Sequence, residues 1–473
     1  MKTKRDERRW EWTVAIACVA CALGSPAHAQ GAPAAQAAPP AQTDTDDTPT
    51  KATEDDVYVP AAPSSTEQGA TRMGESFAPS DRRQWIRDTR RKAFEDTKWD
   101  IQVRSFYLDR EKYDGSGSEA WALGGSLGFK TGYFRDRFAF GATGYTSQEL
   151  YGPEDRDGTL LLAPGQEGYT VLGEVYGEFL INEDSRLTLG RKGIDTPYIN
   201  RNDARMTPNT FQAVLFQGLY GGDEGRPEWR VGGGYFDKIK ERNSEDFVSM
   251  AKDAGAPDGT ERGVYALGAN YKSGDFSFGA INYYSNDIIN IFYAEGKYGI
   301  PMGEKTKLTF ALQYSDQTSV GDELLRGTDF SSDQWGAKAE LAHGGAMFTA
   351  AYTDAGGDTN MQNPWSGYPG FTSVQVEDFN RDGESAWMLR AGYTFPWIKG
   401  ASVYALYVDG SDPQSPTEYA KDEYDVNAQW AVPDGFLKGL LFRMRYAHVR
   451  QQGPVETTLD DFRLMIYYDP PNF

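Results

Sequence analysis

The sequence predicts an all-β protein, built as a single antiparallel transmembrane β-barrel. Three observations predict it. From Trp99 onward, apolar residues recur at every second position in short runs separated by turn formers, the period of a strand with two unlike faces. The only long apolar run lies near the N-terminus, and mean hydropathy is −0.61. A membrane could then be crossed only by a closed barrel, in which each backbone N–H and C=O finds a strand partner. The chain also holds 28 Tyr, 25 Phe, 11 Trp and 52 Gly, a composition suited to aromatic girdles and tight turns.

The N-terminus reads as a secretory signal over residues 1–29. Lys2, Lys4, Arg5, Arg8 and Arg9 form a basic start, 13–23 is apolar, and Ala27-His28-Ala29 is a cleavage site before Gln30. The apolar run is shorter than the roughly 20 residues that a transmembrane helix needs. Cys18 and Cys21, the only cysteines, both fall in it, so the mature chain has no disulfide and no cysteine metal site. The formal charge of −21 includes +2 from the signal (five basic, three acidic), which leaves −23 for the mature protein. That balance argues against nucleic acid as a partner. Residues 30–79, rich in Ala, Pro, Thr, Asp and Glu, are expected to be a disordered periplasmic lead-in. Residues 80–98 carry Arg82, Arg83, Arg87, Arg90, Arg91 and Lys92 and read as a short basic helix or coil.

The barrel is expected over 99–473. Its clearest strands are Leu308/Phe310/Leu312/Tyr314, Trp335/Ala337/Ala339/Leu341, Tyr265/Leu267/Ala269/Tyr271, Val175/Gly177/Phe179/Ile181 and Val426/Ala428/Trp430/Val432, with small or polar residues between. Apolar outward and polar inward is the pattern of a transmembrane strand. The remaining length, at about 20 residues per strand and turn, gives about 16–20 strands, and an even number is expected. Acidic residues gather in segments that read as loops, among them Glu154–Asp157, Asp223-Glu224, Glu241–Asp246, Asp354–Asp358 and Asp409–Asp425.

One connection stands out. After the alternating Leu187–Gly190, residues 191–209 carry Asp195, Pro197, Asn200, Asn202, Asp203, Pro208 and Asn209, which resist both helix and ladder. The segment is long for a hairpin and densely charged, through Arg191, Lys192, Asp195, Arg201, Asp203 and Arg205. Loops of that length are either functional or plain solvated surface.

Strand parity places a set of basic residues on the inner wall. In 100–110, Ile101, Val103 and Tyr107 share one face, while Arg104 and Arg110 take the other. In 441–447, Phe442, Met444 and Tyr446 face lipid, so Arg443 and Arg445 face the lumen; in 387–395 the same argument turns Arg390 inward. Arginine on the lipid face costs about 2–4 kcal/mol at mid-membrane, so parity is a real constraint. Arg450 has the opposite parity and is expected at the rim.

GRKGIDTPYINRNDARMTPNTF resembles the G-R-x-x-x-D-T-P-x-x-N-x-N-D-x-R-M-x-P-x-T-F segment of OprD-family outer-membrane porins. The resemblance extends to IQVRSFYLDR near the first strand, to EDFNRDGESAWMLR, and to LKGLLFRMRYAHVR, roughly over 95–468. It implies eighteen strands, and a constriction loop over 191–209 in which Asp195, Asn200, Asn202, Asp203 and Arg205 fold into the lumen. It also implies a lumen row of Arg104, Arg110, Arg390, Arg443 and Arg445 that guides the carboxylate of a solute.

The expected function is therefore passive, semi-selective uptake of small water-soluble solutes, carboxylates or amino acids, through the bacterial outer membrane. The expected partners are those solutes, outer-membrane lipid and lipopolysaccharide, and the barrel-assembly machinery acting on the C-terminal strand. The protein is expected to be monomeric, and no cofactor is expected. A barrel hydrolase is the rival, but the mature chain has only His343 and His448, with no Ser/His/acid grouping and no metal spacing. A structural or adhesion barrel is the other rival, and it has no need of a charged in-folding loop. At the C-terminus, Asp469-Pro470-Pro471-Asn472 interrupts the last alternating strand before Phe473, so assembly efficiency is the doubtful point.

Overall fold

The computed structural model describes residues 92–222 and 226–470. The signal over 1–29, the lead-in over 30–79, most of the basic segment 80–98, Asp223-Glu224 and Phe473 lie outside the described residues. The first strands are β1 (Lys98–Glu111), β2 (Gly117–Lys130), β3 (Phe138–Tyr151), β4 (Tyr169–Asn182), β5 (Ser185–Lys192), β6 (Thr210–Gly221) and β7 (Glu228–Lys240). A two-residue β8 (Val248–Ser249) and a single helical turn α1 (Met250–Asp253) follow. The wall continues with β9 (Val264–Ser273), β10 (Phe276–Ser285), β11 (Ile289–Pro301), β12 (Thr306–Ser319), β13 (Ser331–His343) and β14 (Ala346–Gly357). It ends with β15 (Ser385–Thr394), β16 (Ala401–Gly410), β17 (Lys421–Ala431), β18 (Leu440–Gln451) and β19 (Thr457–Tyr468).

Each long strand pairs antiparallel with the next, β7 pairs directly with β9, and β1 closes on β19. β8 pairs only with the end of β7. Setting β8 aside from the nineteen leaves a closed barrel of eighteen strands. Closure removes the free edges that a sheet in lipid could not tolerate.

The outer face follows the alternation. Phe310, Leu312 and Tyr314 are exposed on β12, while Ala311, Gln313 and Ser315 between them are buried. Connections at one end are short, among them 183–184, 274–275 and 344–345. Gly344 takes φ 56 in the last of these, a left-handed position natural to a two-residue hairpin. Those at the other end include 152–168, 193–209, 241–263 and 358–384.

Two expectations need correcting. The interior is not simply polar. Phe106 and Leu108 of β1 share the inner face with Arg104 and pack on Leu161, Leu162 and Met206 from two connections. A larger cluster joins Ile194, Tyr198 and Ile199 to Ile281, Tyr283, Ile291 and Tyr293 of the wall. Loops that fold inward bring apolar side chains, and the wall facing them is apolar for the same reason. Nor do the acidic residues of 409–425 all lie in a loop. β17 starts at Lys421, so Glu423 and Asp425 are strand residues, both buried on the inner face.

Candidate functional site: the constriction and its arginines

The connection 193–209 crosses the barrel. Tyr198, at one end of the crossing, is fully buried among Tyr283, Tyr293 and Tyr368, with ring centroids at 6.0, 6.3 and 5.9 Å. Its hydroxyl meets Ser315 Oγ of β12 at 2.6 Å. Asp203, at the other end, is held by Arg104 of β1. Both guanidinium NH groups donate to its carboxylate, at 2.5 and 2.6 Å. Counting around the ring of eighteen, β1 and β11 lie opposite one another. The loop is thus tied to opposing walls by a buried ring and a two-pronged ion pair.

Between those ties the loop is fixed by its own polar groups and by other loops. Asp195 accepts from Arg201 N–H at 3.0 Å. Asn200 N–H donates to Ser366 Oγ at 2.9 Å, Ser366 Oγ donates to Asn200 O at 2.8 Å, and Asn200 Nδ2 donates to Gly367 O at 3.1 Å. This joins the loop to the connection 358–384. Asn202 takes φ 39, which asparagine tolerates better than most residues, and its Oδ1 accepts from Arg242 at 3.0 Å. Arg205 is 1% exposed, and its Nε donates to Thr159 O at 2.8 Å, which ties the loop to 152–168.

The five wall arginines divide into two sets. Arg104 and Arg110 hold carboxylates: Asp203, and Asp461 of β19 at 2.7 Å. Arg104 also lies over the Tyr467 ring at 5.1 Å. Arg390, Arg443 and Arg445 gather around Tyr404 and Asn427. Arg390 lies over the Tyr404 ring at 4.2 Å, Arg445 donates to its hydroxyl at 3.4 Å, and Arg443 Nε donates to Asn427 Oδ1 at 2.7 Å. All three are buried. Arg450 pairs with Asp422 at 3.0 Å near the end of β18, with 41% of its side chain exposed. His448 lies beside Asp460 at 2.9 Å, and His343 beside Thr306 at 2.7 Å.

Several residues of this wall were missed by the sequence reading. Arg463 shares the inner face of β19 and pairs across the ladder with Arg445. It donates to Asp461 at 2.6 Å. Like charges placed directly opposite destabilise a sheet, and the Asp461 carboxylate offsets the charge of Arg463 here. Its parity, opposite to that of Leu464 and Ile466, was the signal that could have found it. Lys338 of β13 sits over the Phe371 ring at 4.9 Å and near Glu340 at 3.1 Å. Glu377, in 358–384, accepts from Lys421 at 2.8 Å and Tyr113 at 2.6 Å. Burial alone would raise its carboxyl, but Lys421, Tyr113 and Arg381 outweigh that and hold it below the ordinary range.

Residues 92–471 match the model of the family described as outer membrane porin, OprD family. The chain is 24% identical to Porin D of Pseudomonas aeruginosa over 424 residues, covering 79% of this chain and 90% of that protein. Among solved structures, OccK9 (OpdG) of P. aeruginosa superposes with a TM-score of 0.71 at 25% identity, covering 80% of this chain and 99% of that one. OpdK of P. aeruginosa with vanillate gives 0.69 at 22%, covering 80% and 99%. A BenF-like porin from Pseudomonas fluorescens Pf-5 gives 0.68 at 21%, also covering 80% and 99%. With the family model spanning the whole barrel, the chain belongs to the OprD family: it is a porin of the bacterial outer membrane, a channel for small solutes and not an enzyme.

Proposed function

We propose that the channel favours small anions, carboxylates or amino acids carrying one, and that the arginines of β15, β18 and β19 draw them past the loop 193–209. The observation that carries this reading is the convergence of Arg390, Arg443 and Arg445 on Tyr404 and Asn427, with Arg463 across the ladder from Arg445. Guanidinium stays charged at any ordinary pH and matches a carboxylate with paired donors. Arg104 and Arg110 belong to the row by position and also brace the constriction and the wall through Asp203 and Asp461, as Arg463 does through Asp461. Several weak sites in sequence suit conduction better than one tight site, which would trap the solute. Vanillate, an aromatic carboxylate present with the similar OpdK, belongs in the test panel for that reason. The channel works as a monomer, with outer-membrane lipid and lipopolysaccharide against its apolar face, and the assembly machinery engages its last strand.

Replacing Arg443 and Arg445 together with glutamine tests the reading. Folding is retained, since one polar lumen residue replaces another. Reversal potentials shift towards cations, and liposome uptake of vanillate and other carboxylates slows more than that of a neutral sugar of similar size. Equal slowing of both would leave the arginines as shape alone.

A further inference from the structure

The connection 358–384 carries a turn whose backbone amides face the wall. Gln375 N–H donates to Asp425 Oδ2 at 3.2 Å, Val376 N–H to Glu423 Oε1 at 2.8 Å, and Glu377 N–H to Glu423 Oε2 at 2.8 Å. Successive amides aimed in one direction form a concave anion site. Here the anion is a side chain of the barrel itself. Glu423 is 0% exposed, and Asp425 stands next to it on the same face of β17.

The charged groups around this contact are engaged with other partners. Lys421 of β17 and Tyr113 of the β1–β2 turn bond Glu377, at 2.8 and 2.6 Å. Arg381 of the same connection bonds Glu384, at 2.5 Å. Arg110 of β1 and Arg463 of β19 bond Asp461, at 2.7 and 2.6 Å. Asp461 in turn accepts from Gln375 Nε2 at 2.8 Å, and Arg463 donates to Gln375 O at 3.2 Å. The hydrogen bonds that Glu423 accepts come from the loop amides, and its carboxyl also lies within hydrogen-bonding reach of the Asp425 carboxyl, so the two acids compete for a proton.

We infer that Glu423 is a positioning residue for the constriction, and that protonating it releases the turn 375–377 from the wall into the passage. Ionised, Glu423 offers both oxygens to two N–H groups. Protonated, Glu423 loses its negative charge and turns its O–H towards the Asp425 carboxyl, so the charge-assisted bonds from the two amides weaken. Protonating Asp425 weakens the Gln375 contact in the same direction. The latch therefore holds at higher pH and is lost as pH falls through the titration of this pair. The turn touches Arg463, so its release enters the wall that the solute passes. The arginines keep their charge throughout, so a pH effect separates this device from the arginine row.

Two measurements test it on the full-length protein. In single-channel recordings between about pH 10 and about pH 4.5, a range wide enough to take in the titration of a buried carboxyl pair, wild type shows more frequent closures as pH falls. Glu423→Gln offers one oxygen and turns an NH2 towards the other amide, so it shows the low-pH pattern across the whole range. A heat-modifiability shift on gels confirms that the variant has folded. In wild type, amide exchange of the peptide containing Val376 and Glu377, normalised to the intrinsic rate, quickens by about tenfold or more on acidification, the size expected for losing a bond to a charged acceptor. An E423Q pH profile that superimposes on wild type overturns the inference, as does protection at 376–377 that ignores pH. If E423Q fails to assemble, the wild-type exchange result decides alone.

Discussion

Single side chains here act by pairing across long stretches of chain. Asp203 is the clearest case. Its carboxylate is 8% exposed and takes two NH groups of an Arg104 side chain that is itself 6% exposed. Replacing it with asparagine leaves a buried guanidinium facing an amide that can accept at one atom only. Removing one partner of a buried ion pair costs about 3–5 kcal/mol, and lumen water that rehydrates Arg104 brings the cost of D203N towards the low end. The expected result is a folded barrel whose open current is larger and noisier, because one of the two ties of the loop is gone. Planar-bilayer recordings check it, and a quiet wild-type current would show that Tyr198 and Asn200 suffice. At this scale the sequence was partly legible. Parity turned Arg104, Arg110, Arg390, Arg443 and Arg445 inward, but parity says nothing about partners. That Arg104 meets Asp203 depends on a contact spanning 99 positions. Arg205 shows the limit from the other side: the resemblance placed it in the constriction loop, and nothing in the sequence says that its Nε donates to the Thr159 carbonyl.

At the scale of elements, the connections decide the interior. The segment 193–209 bonds 152–168 through Thr159, 241–263 through Arg242, and 358–384 through Ser366 and Gly367. Deleting Ile199–Met206 removes Asn200, Asn202, Asp203 and Arg205 together. The strands keep their ladders, so the barrel remains heat-modifiable while single-channel conductance rises. Conductance at the wild-type level would place the limiting width elsewhere, with 358–384 the natural candidate. The strands themselves were readable from period-two alternation because one face meets lipid. The 358–384 connection was not, because its anchors are backbone amides: Val376 and Glu377 carry no side-chain signal for the bonds their N–H groups make to Glu423. The same blindness put Glu423 and Asp425 in a loop, since a run of acids at a strand start looks like a run of acids in water.

For the whole molecule, two solvents act on one wall, lipid outside and loop-filled water inside. Leu312 projects outward with 65% of its surface exposed, while its neighbour Gln313 is buried against the loop residue Pro369. Leu312→Arg should therefore cost about 2–4 kcal/mol in refolding into lipid vesicles, whereas Ile300→Arg, at the strand end, should cost about 0–1 kcal/mol. Equal costs at the two positions would mean that Leu312 does not sit at the depth its strand implies.

The joint between Asn200 and Ser366 also has a consequence in time. It spans 166 positions, against 99 for Arg104 and Asp203. Loop-closure entropy grows only with the logarithm of length, about 0.6 kcal/mol per doubling, so neither contact is barred by distance alone. What separates them is which strands must already be in place. Arg104 and Asp203 need only the chain up to β6, whereas Ser366 reaches Asn200 only after β7 to β14 have laid down the wall between them. The two joints thus call on different sets of strands, β1 to β6 for the first and β5 to β15 for the second, and can form at different stages of assembly. A chain damaged at the second loop would then fold its wall on schedule and mature slowly into a working channel, a delay that equilibrium stability would not record.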